Sequence, residues 1–434
     1  MKIEPAASLV GAVAVPGVKG ISQRAVLLGA IADGESRIRG FGRAADTLSA
    51  IDVVRACGVE VTDNGDDDIR VQGVGLRGLR APDEPIDCGN AGTVLRLFAG
   101  ILAGQHGTFE LVGDASLTMR PHERVAEPLR RMGAKVETTD GHAPVRIEGG
   151  ELEPISYELP VASAQVKSAI LLAGLFARSG PTTVTEPHPT RDHTERMLQG
   201  LGVRVSRTAR SVSVWPVDRL PNLDIEIPGE ISSAAPLIAA AVLLNGSELL
   251  LQGVNVNPLR AGLLDVLERM GARVAVFNRR IVSGEPVADL QVRSAPLSAT
   301  TVEAEEVPRL VDELPLVALL GAFAHGETIV RGAEELRAKE TDRVETVTEG
   351  LRAVGVRIEA RPDGFVVRGT PARPRGGRVD AHGDHRIAML AAVAGLVSRE
   401  GVQIEDAESA AISFPGFYDV IDQLAQRERV GLDQ

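Results

Sequence analysis

Within Leu336-Arg337-Ala338-Lys339-Glu340-Thr341-Asp342-Arg343, three cations and two carboxylates fall inside eight residues. At helical spacing Lys339 and Arg343, four apart, share one face, and Glu340 lies beside it. Two fixed cations suit a small, multiply charged anion, and a carboxylate beside them is placed to move a proton. A solvated helix laced with i,i+4 ion pairs would carry the same pattern. The chemical reading therefore depends on what accompanies this stretch elsewhere.

The elements that must hold such a site are drawn from 434 residues, enough for two domains or more. With 44% hydrophobic but only 3% aromatic residues, the core must be aliphatic, which argues against base-stacking platforms for single-stranded nucleic acid. A net charge of −12 also opposes nucleic-acid binding, so a site for anions must gather its lysines and arginines locally. Cys57 and Cys88 suggest neither a disulfide framework nor a zinc site, and no metal or cofactor is expected. The start, Met1-Lys2-Ile3-Glu4-Pro5, has no apolar signal core and no apolar run approaches a membrane span. A cytoplasmic protein without a membrane partner is expected.

One unit recurs: an amphipathic helix, a glycine corner, then alternating strand residues. The corners are Gly58, Gly133, Gly202, Gly271 and Gly355, roughly 70–85 residues apart. Each is expected at the C′ position of a helix, where a left-handed backbone costs glycine little. Strands are expected to follow, as in Asp68-Ile69-Arg70-Val71-Gln72 and Gly364-Phe365-Val366-Val367-Arg368.

A second recurrence is a loop of small residues running straight into an apolar helix. It appears at Gly17–Arg24, Cys88–Thr93, Ala162–Gln165, Gly229–Ala234 and Gly383–Arg386. Such junctions present free backbone N–H groups and the positive end of a helix dipole. Small residues there also let helix and sheet approach closely, so no single junction decides. Six repeats, the last degenerate, would divide into two domains of three, with helix N-termini converging on an anion site.

Assembled, these stretches resemble the 5-enolpyruvylshikimate-3-phosphate synthase family over nearly the whole chain, from about Val15 to Pro415. The motifs run in order: Gly89-Asn90-Ala91-Gly92-Thr93 through Arg96, Arg120-Pro121, Ser163-Ala164-Gln165, Asp312-Glu313-Leu314-Pro315, Lys339–Arg343 and Asp384-His385-Arg386. The resemblance implies an α/β, two-domain, inverse α/β barrel-like fold of six βαβαββ repeats, three per domain. It implies an N-terminal domain over 18–227 and a C-terminal domain formed by 1–17 plus 228–434, closing on substrate. It further implies an enzyme that moves the enolpyruvyl group of phosphoenolpyruvate to the 5-hydroxyl of shikimate 3-phosphate, without a metal; a monomer is expected.

Residue by residue, the resemblance assigns proton transfer to Asp312 and Glu340, with Lys19 assisting. Lys19, Arg120, Gln165, Arg343, Arg386 and the Gly92 backbone would hold phosphoenolpyruvate. Lys19, Gly20, Arg24, Ser163, Ala164, Gln165, Arg191, Asp312 and Lys339 would hold shikimate 3-phosphate. Asp46 and Asn90 would organise the loops.

The chain departs from the family most in its first loop. Where the family usually has serine after the lysine, Pro16-Gly17-Val18-Lys19-Gly20 has glycine, so a hydroxyl that helps Arg24 hold the acceptor carboxylate is missing. Its loss is on the order of 1.5–3 kcal/mol if a carboxylate still sits there, and a water would soften it. His122, Leu259 and Ile412 are milder departures. Three readings remain open at this point: a shikimate-pathway synthase, an enolpyruvyl transferase for another phosphorylated alcohol, or a non-catalytic ligand-binding relative.

Overall fold

The computed structural model describes residues 1–65 and 67–426. These divide into two units: an N-terminal one, Gly17–Pro228 with Ile281–Glu285, and a C-terminal one, Met1–Pro16, Gly229–Arg280 and the chain from Pro286 onward. Relative to the expected boundaries, the divisions shift by one residue and the short segment 281–285 changes sides. Its contacts explain the change: Ser283 Oγ accepts from Glu226 N at 3.0 Å, and Gly284 O accepts from Arg196 Nη1 at 3.0 Å.

The βαβαββ repeat is plainest in the middle of the N-terminal unit. Strand Ile86–Asp87 lies parallel to Gly107–Val112, with helix Gly92–Leu102 crossing between them. Helix Glu123–Arg131 follows, then the hairpin Lys135–Thr139/His142–Gly149, whose second strand pairs antiparallel with Gly107–Val112. The same order recurs from Ser156–Glu158 to Ser211–Val214. In the third copy the opening strand comes from the far end: Asp224–Glu226 pairs parallel with Asp33–Arg39.

The C-terminal unit closes in the same way. Strand Ser8–Ala14 pairs parallel with Glu248–Asn255, completing the repeat that contains helices Ile231–Leu243 and Gly262–Arg269. A regular copy runs from Thr301–Val302 to Gly364–Arg368. The last copy keeps a three-stranded sheet, in which Lys2–Ile3 pairs antiparallel with Val402–Glu405.

Within each repeat the two helices differ. The first is built of Ala, Leu, Val, Ile and Gly on all sides and is buried almost throughout, as in Leu314–Phe323 and His385–Val397. Close approach explains its glycines: a Cβ on Gly100 would overlap the Ala169 backbone of the neighbouring helix. The second helix is half-exposed and ends in a Schellman motif at all five corner glycines, whose φ values run from +76° to +108°. At Gly58, for example, Gly58 N donates to Arg55 O at 2.9 Å and Val59 N to Val54 O at 3.1 Å.

All five small-residue junctions open first helices, and a sixth opens at Leu314. No side chain caps the helices that start at Lys19, Gly92, Ile231 and Leu314. Each unit keeps its own aliphatic core. Among the described residues, no helix is long and apolar enough to cross a membrane.

Candidate active site

In the N-terminal unit, the helix Lys19–Ala30 points its first turn at the site. Lys19 Nζ donates to Asp46 Oδ2 at 2.7 Å, and Gln23 Nε2 donates to the Asp46 carbonyl at 2.8 Å. One turn on, Arg24 is buried. Its Nε donates to Thr194 Oγ1 at 2.7 Å, Nη1 to the Gly20 carbonyl at 2.8 Å, and Nη2 to Ser168 Oγ at 3.0 Å. Burial pulls its pKa down to about 10, opposed by the charge of Glu195. It stays cationic at neutral pH.

A second cluster gathers where the helix Gly92–Leu102 begins. Arg120 Nη2 donates to Asn90 Oδ1 at 2.8 Å, and Asn90 in turn donates to Asp114 Oδ2 at 2.8 Å. Arg96 Nη1 donates to Gln165 Oε1 at 2.5 Å, and Gln165 Nε2 to Thr93 Oγ1 at 2.9 Å. A Cβ on Gly92 would lie 3.1 Å from Arg96 Nη1 and 3.4 Å from Arg120 Nη1, so glycine keeps the space between the two guanidiniums open. Among the described residues neither arginine forms an ion pair. Burial, with the charges of Arg124 and Arg120, lowers the Arg96 pKa to about 9, and its buried Nε has no acceptor among the described residues. Two arginines lacking an internal counter-charge are a site for an external anion.

Beside this cluster, Ser163 caps the helix that starts at Ala164, accepting from Val166 N at 3.4 Å. Further along that helix Lys167 is wholly buried, 3.0 Å from Glu186 and 2.9 Å from Glu195. The half-buried Arg191 precedes the helix His193–Gly200. His193 is also buried, with Nδ1 2.8 Å from Glu285 Oε1.

The C-terminal unit centres on Arg343. This buried guanidinium meets Asp384 through Nε at 2.8 Å, Glu340 through Nη2 at 2.7 Å and Asp312 through Nη1 at 3.4 Å. Burial alone would lower its pKa, but the three carboxylates raise it. Arg260 is its counterpart, bound to Glu313 through Nη1 at 2.8 Å and to Asp312 at 3.4 Å, with Ser232 hydrogen-bonded to both Arg260 and Glu313. Asp312 thus lies between two buried arginines. Arg386 Nη1 donates to the Ser232 carbonyl at 3.0 Å, while its buried Nε has no acceptor among the described residues.

One expectation is corrected here. Lys339 and Arg343 do not share a helical face, because Arg343 opens the helix Arg343–Ala353 and Lys339 follows the short 3-10 turn Glu334–Ala338. The break is imposed by Asp342, whose Oδ1 accepts from Val344 N and Glu345 N and so starts the helix afresh. Lys339 pairs instead with Glu335 at 2.7 Å.

The structure therefore brings Asp312, Glu340 and Arg343 together, and Gly92, Arg120 and Gln165 through Arg96. Gly20 and Arg24 form another pair, whereas Lys339, among the described residues, forms its ion pair with Glu335 and not with the other expected site residues. Cys57 and Cys88 are buried and unpaired with each other, and burial pushes the Cys57 thiol up to about 12. Sequence reasoning missed Arg260, Glu313, Ser232, His193 and Glu285 as parts of these clusters. No group of three or more His, Cys, Asp or Glu among the described residues is arranged to hold a metal ion.

Six such repeats, three of whose first helices carry Arg24, Arg96 and Arg386 near their starts, define a two-unit α/β protein with cations gathered at helix starts. A family profile described as EPSP synthase (3-phosphoshikimate 1-carboxyvinyltransferase) matches residues 3–421. The chain is 50% identical over 420 residues to a 3-phosphoshikimate 1-carboxyvinyltransferase of Alkalilimnicola ehrlichii, covering 96% of this chain and 94% of that one. A relative of the same name from Acidithiobacillus ferrooxidans is 49% identical over 415 residues, covering 96% and 95%. Among solved structures, the EPSP synthase of Acinetobacter baumannii superposes with a TM-score of 0.89 at 39% identity, covering 98% of each chain. The chain belongs to the EPSP synthase family.

Proposed function

We propose that this protein transfers the enolpyruvyl group of phosphoenolpyruvate to the 5-hydroxyl of shikimate 3-phosphate and releases phosphate. The observation that carries the reading, beyond family membership, is the pair Arg96 and Arg120 around Gly92: two cations with no carboxylate partner among the described residues, kept apart by a glycine. Donor and acceptor each bear a phosphate and a carboxylate, the ligands such cations require.

The reaction is an addition followed by an elimination. C3 of phosphoenolpyruvate gains a proton while the acceptor hydroxyl loses one and attacks C2. The resulting ketal phosphate then expels phosphate and returns a proton from C3. Asp312 and Glu340, both in contact with Arg343, are the carboxylates assigned to these proton transfers, with Lys19 as a charged donor. Gly92, Arg120, Gln165, Arg343 and Arg386 are assigned to the donor. Gly20, Arg24, Ser163, Ala164, Arg191, Asp312 and Lys339 are assigned to the acceptor, and Lys19 and Gln165 to both. Cations fixed before the substrate arrives stabilise developing charge without reorganising.

The test is phosphate release from phosphoenolpyruvate in the presence of shikimate 3-phosphate. Steady release that depends on both substrates supports the assignment. Tight binding of phosphoenolpyruvate without turnover would overturn the acceptor.

A further inference from the structure

Position 20 holds glycine where the resemblance leads one to expect serine, and its surroundings point to a replacement for that hydroxyl. A Cβ built on Gly20 would meet two atoms within 4 Å: Arg24 Nη1 at 3.2 Å and His193 Cδ2 at 4.0 Å. The vacancy left by the glycine is therefore bordered by a guanidinium and an imidazole edge. Gly20 and Lys19 are partly exposed while Arg24 and His193 are buried, so a ligand entering there meets the guanidinium and the imidazole.

The orientation of His193 is set from behind. Its Nδ1 lies 2.8 Å from Glu285 Oε1, and both side chains are buried, 3% and 1% exposed. A carboxylate accepts, so Nδ1 carries a proton; Cδ2 and Nε2 form the ring edge opposite it, and Cδ2 is the ring atom nearest position 20. With a second proton on Nε2, that edge donates to an anion while Glu285 balances the ring's charge. The helix His193–Gly200 also supplies Thr194, which accepts from Arg24 Nε at 2.7 Å, so ring and guanidinium are fixed by consecutive residues.

We propose that His193, held by Glu285, is a specificity-determining residue that supplies the donor to the acceptor's carboxylate which glycine at position 20 does not. The inference rests on the reading that shikimate 3-phosphate is the acceptor and presents its carboxylate to Arg24. It explains how a chain without the serine keeps a neutral-to-charged or charged contact at this place.

Steady-state kinetics of the full chain test it. In His193→Gln and His193→Ala, KM for shikimate 3-phosphate is expected to rise about tenfold or more, the effect of losing one hydrogen bond to a charged group. KM for phosphoenolpyruvate and kcat are expected to stay within about twofold, since the group contacts bound carboxylate and not reacting atoms. Adding Gly20→Ser to His193→Ala is expected to restore most of the lost affinity, an outcome that general damage to the fold would not give. Glu285→Gln, which keeps shape and removes charge, should shift the same KM in the same direction by less. An acceptor with a hydroxymethyl group in place of the carboxylate should not distinguish wild type from His193→Gln. An unchanged KM for shikimate 3-phosphate in both His193 variants, or no recovery on adding Gly20→Ser, overturns the proposal while leaving the enzymatic assignment intact. If wild type does not turn over shikimate 3-phosphate at all, both fall together.

Discussion

Arg343 and Asp384 face each other through two hydrogen bonds, Nε to Oδ2 at 2.8 Å and Nη2 to Oδ1 at 3.1 Å, with both side chains buried. The same carboxylate accepts from Arg386 N at 2.9 Å and from Thr341 Oγ1 at 3.1 Å. Asp384 thus ties the helix start that carries Arg386 to the stretch that carries Glu340. A fork bound on one side by a fixed carboxylate keeps its remaining N–H groups aimed in one direction.

Replacing Asp384 with alanine leaves Arg343 buried beside fewer charges and frees two loops. Breaking a buried pair in this way costs about 3–5 kcal/mol. A lower urea midpoint is expected, with a higher KM for phosphoenolpyruvate. An unchanged midpoint would show that Glu340 and Asp312 suffice to hold the arginine.

Glu340→Gln keeps the side chain's size and one hydrogen bond to Arg343 while removing its proton-transfer capacity. Binding of both substrates by calorimetry is expected to persist, while turnover falls by roughly 10²-fold or more. Wild-type turnover would remove Glu340 from proton transfer.

Lys167 sits between Glu186 and Glu195, with Thr190 O accepting from Nζ at 3.2 Å. Lys167→Met removes the cation and leaves two buried carboxylates, a loss of about 3–5 kcal/mol. Adding Glu195→Gln to that variant is expected to recover part of the stability, because one uncompensated charge is gone. Equal midpoints for the single and double variants would mean that Glu195 is balanced by Arg24 and not by the lysine.

His122 gives the fold a pH dependence. Burial, reinforced by the charge of Arg96, lowers its pKa from 6.5 to about 4, while the Leu117 carbonyl accepting from Nε2 at 3.2 Å opposes the shift. The folded state binds this proton less readily than the unfolded chain. Its contribution is therefore unaffected above pH ~6.5, and stability is lost as pH falls from there, levelling off below about 4. The loss from this group between pH 7 and pH 5 is about 2 kcal/mol. Denaturation of wild type and His122→Gln at both pH values checks it: the variant's stability should fall less, and parallel losses would refute the assignment.

The repeats were legible because they are local. A glycine at a helix C′ position leaves its mark within six residues, and all five Schellman corners follow from that. The helix starts were legible too, except the one at Leu314, where Asp312-Glu313 read as a chemical motif and concealed a sixth junction. What stayed hidden depends on distance along the chain. Arg260 meets Glu313 across 53 residues and His193 meets Glu285 across 92, and nothing in the flanking residues announces either pair. The spacing of Lys339 and Arg343 misled for the opposite reason: a local capping residue, Asp342, overrode a period that otherwise fits a helix.

The way each unit borrows a strand sets an order for assembly during synthesis. Every residue of the N-terminal core lies between Val18 and Ile227, so that core is complete once the ribosome has released about half the chain. The C-terminal core begins at Ile3 and ends at Leu424: Ile3 pairs with Val402, while strand Ser8–Ala14 pairs with Glu248–Asn255 and, at Leu9, with Ala425. Lys2–Ile3 must therefore wait for Val402–Glu405, whereas Ser8–Ala14 gains a partner once Glu248–Asn255 has been made. A chain released early, with its final repeat missing, would carry one finished half and one whose strand Lys2–Ile3 has lost its partner, which makes that strand a natural handle for chaperone capture.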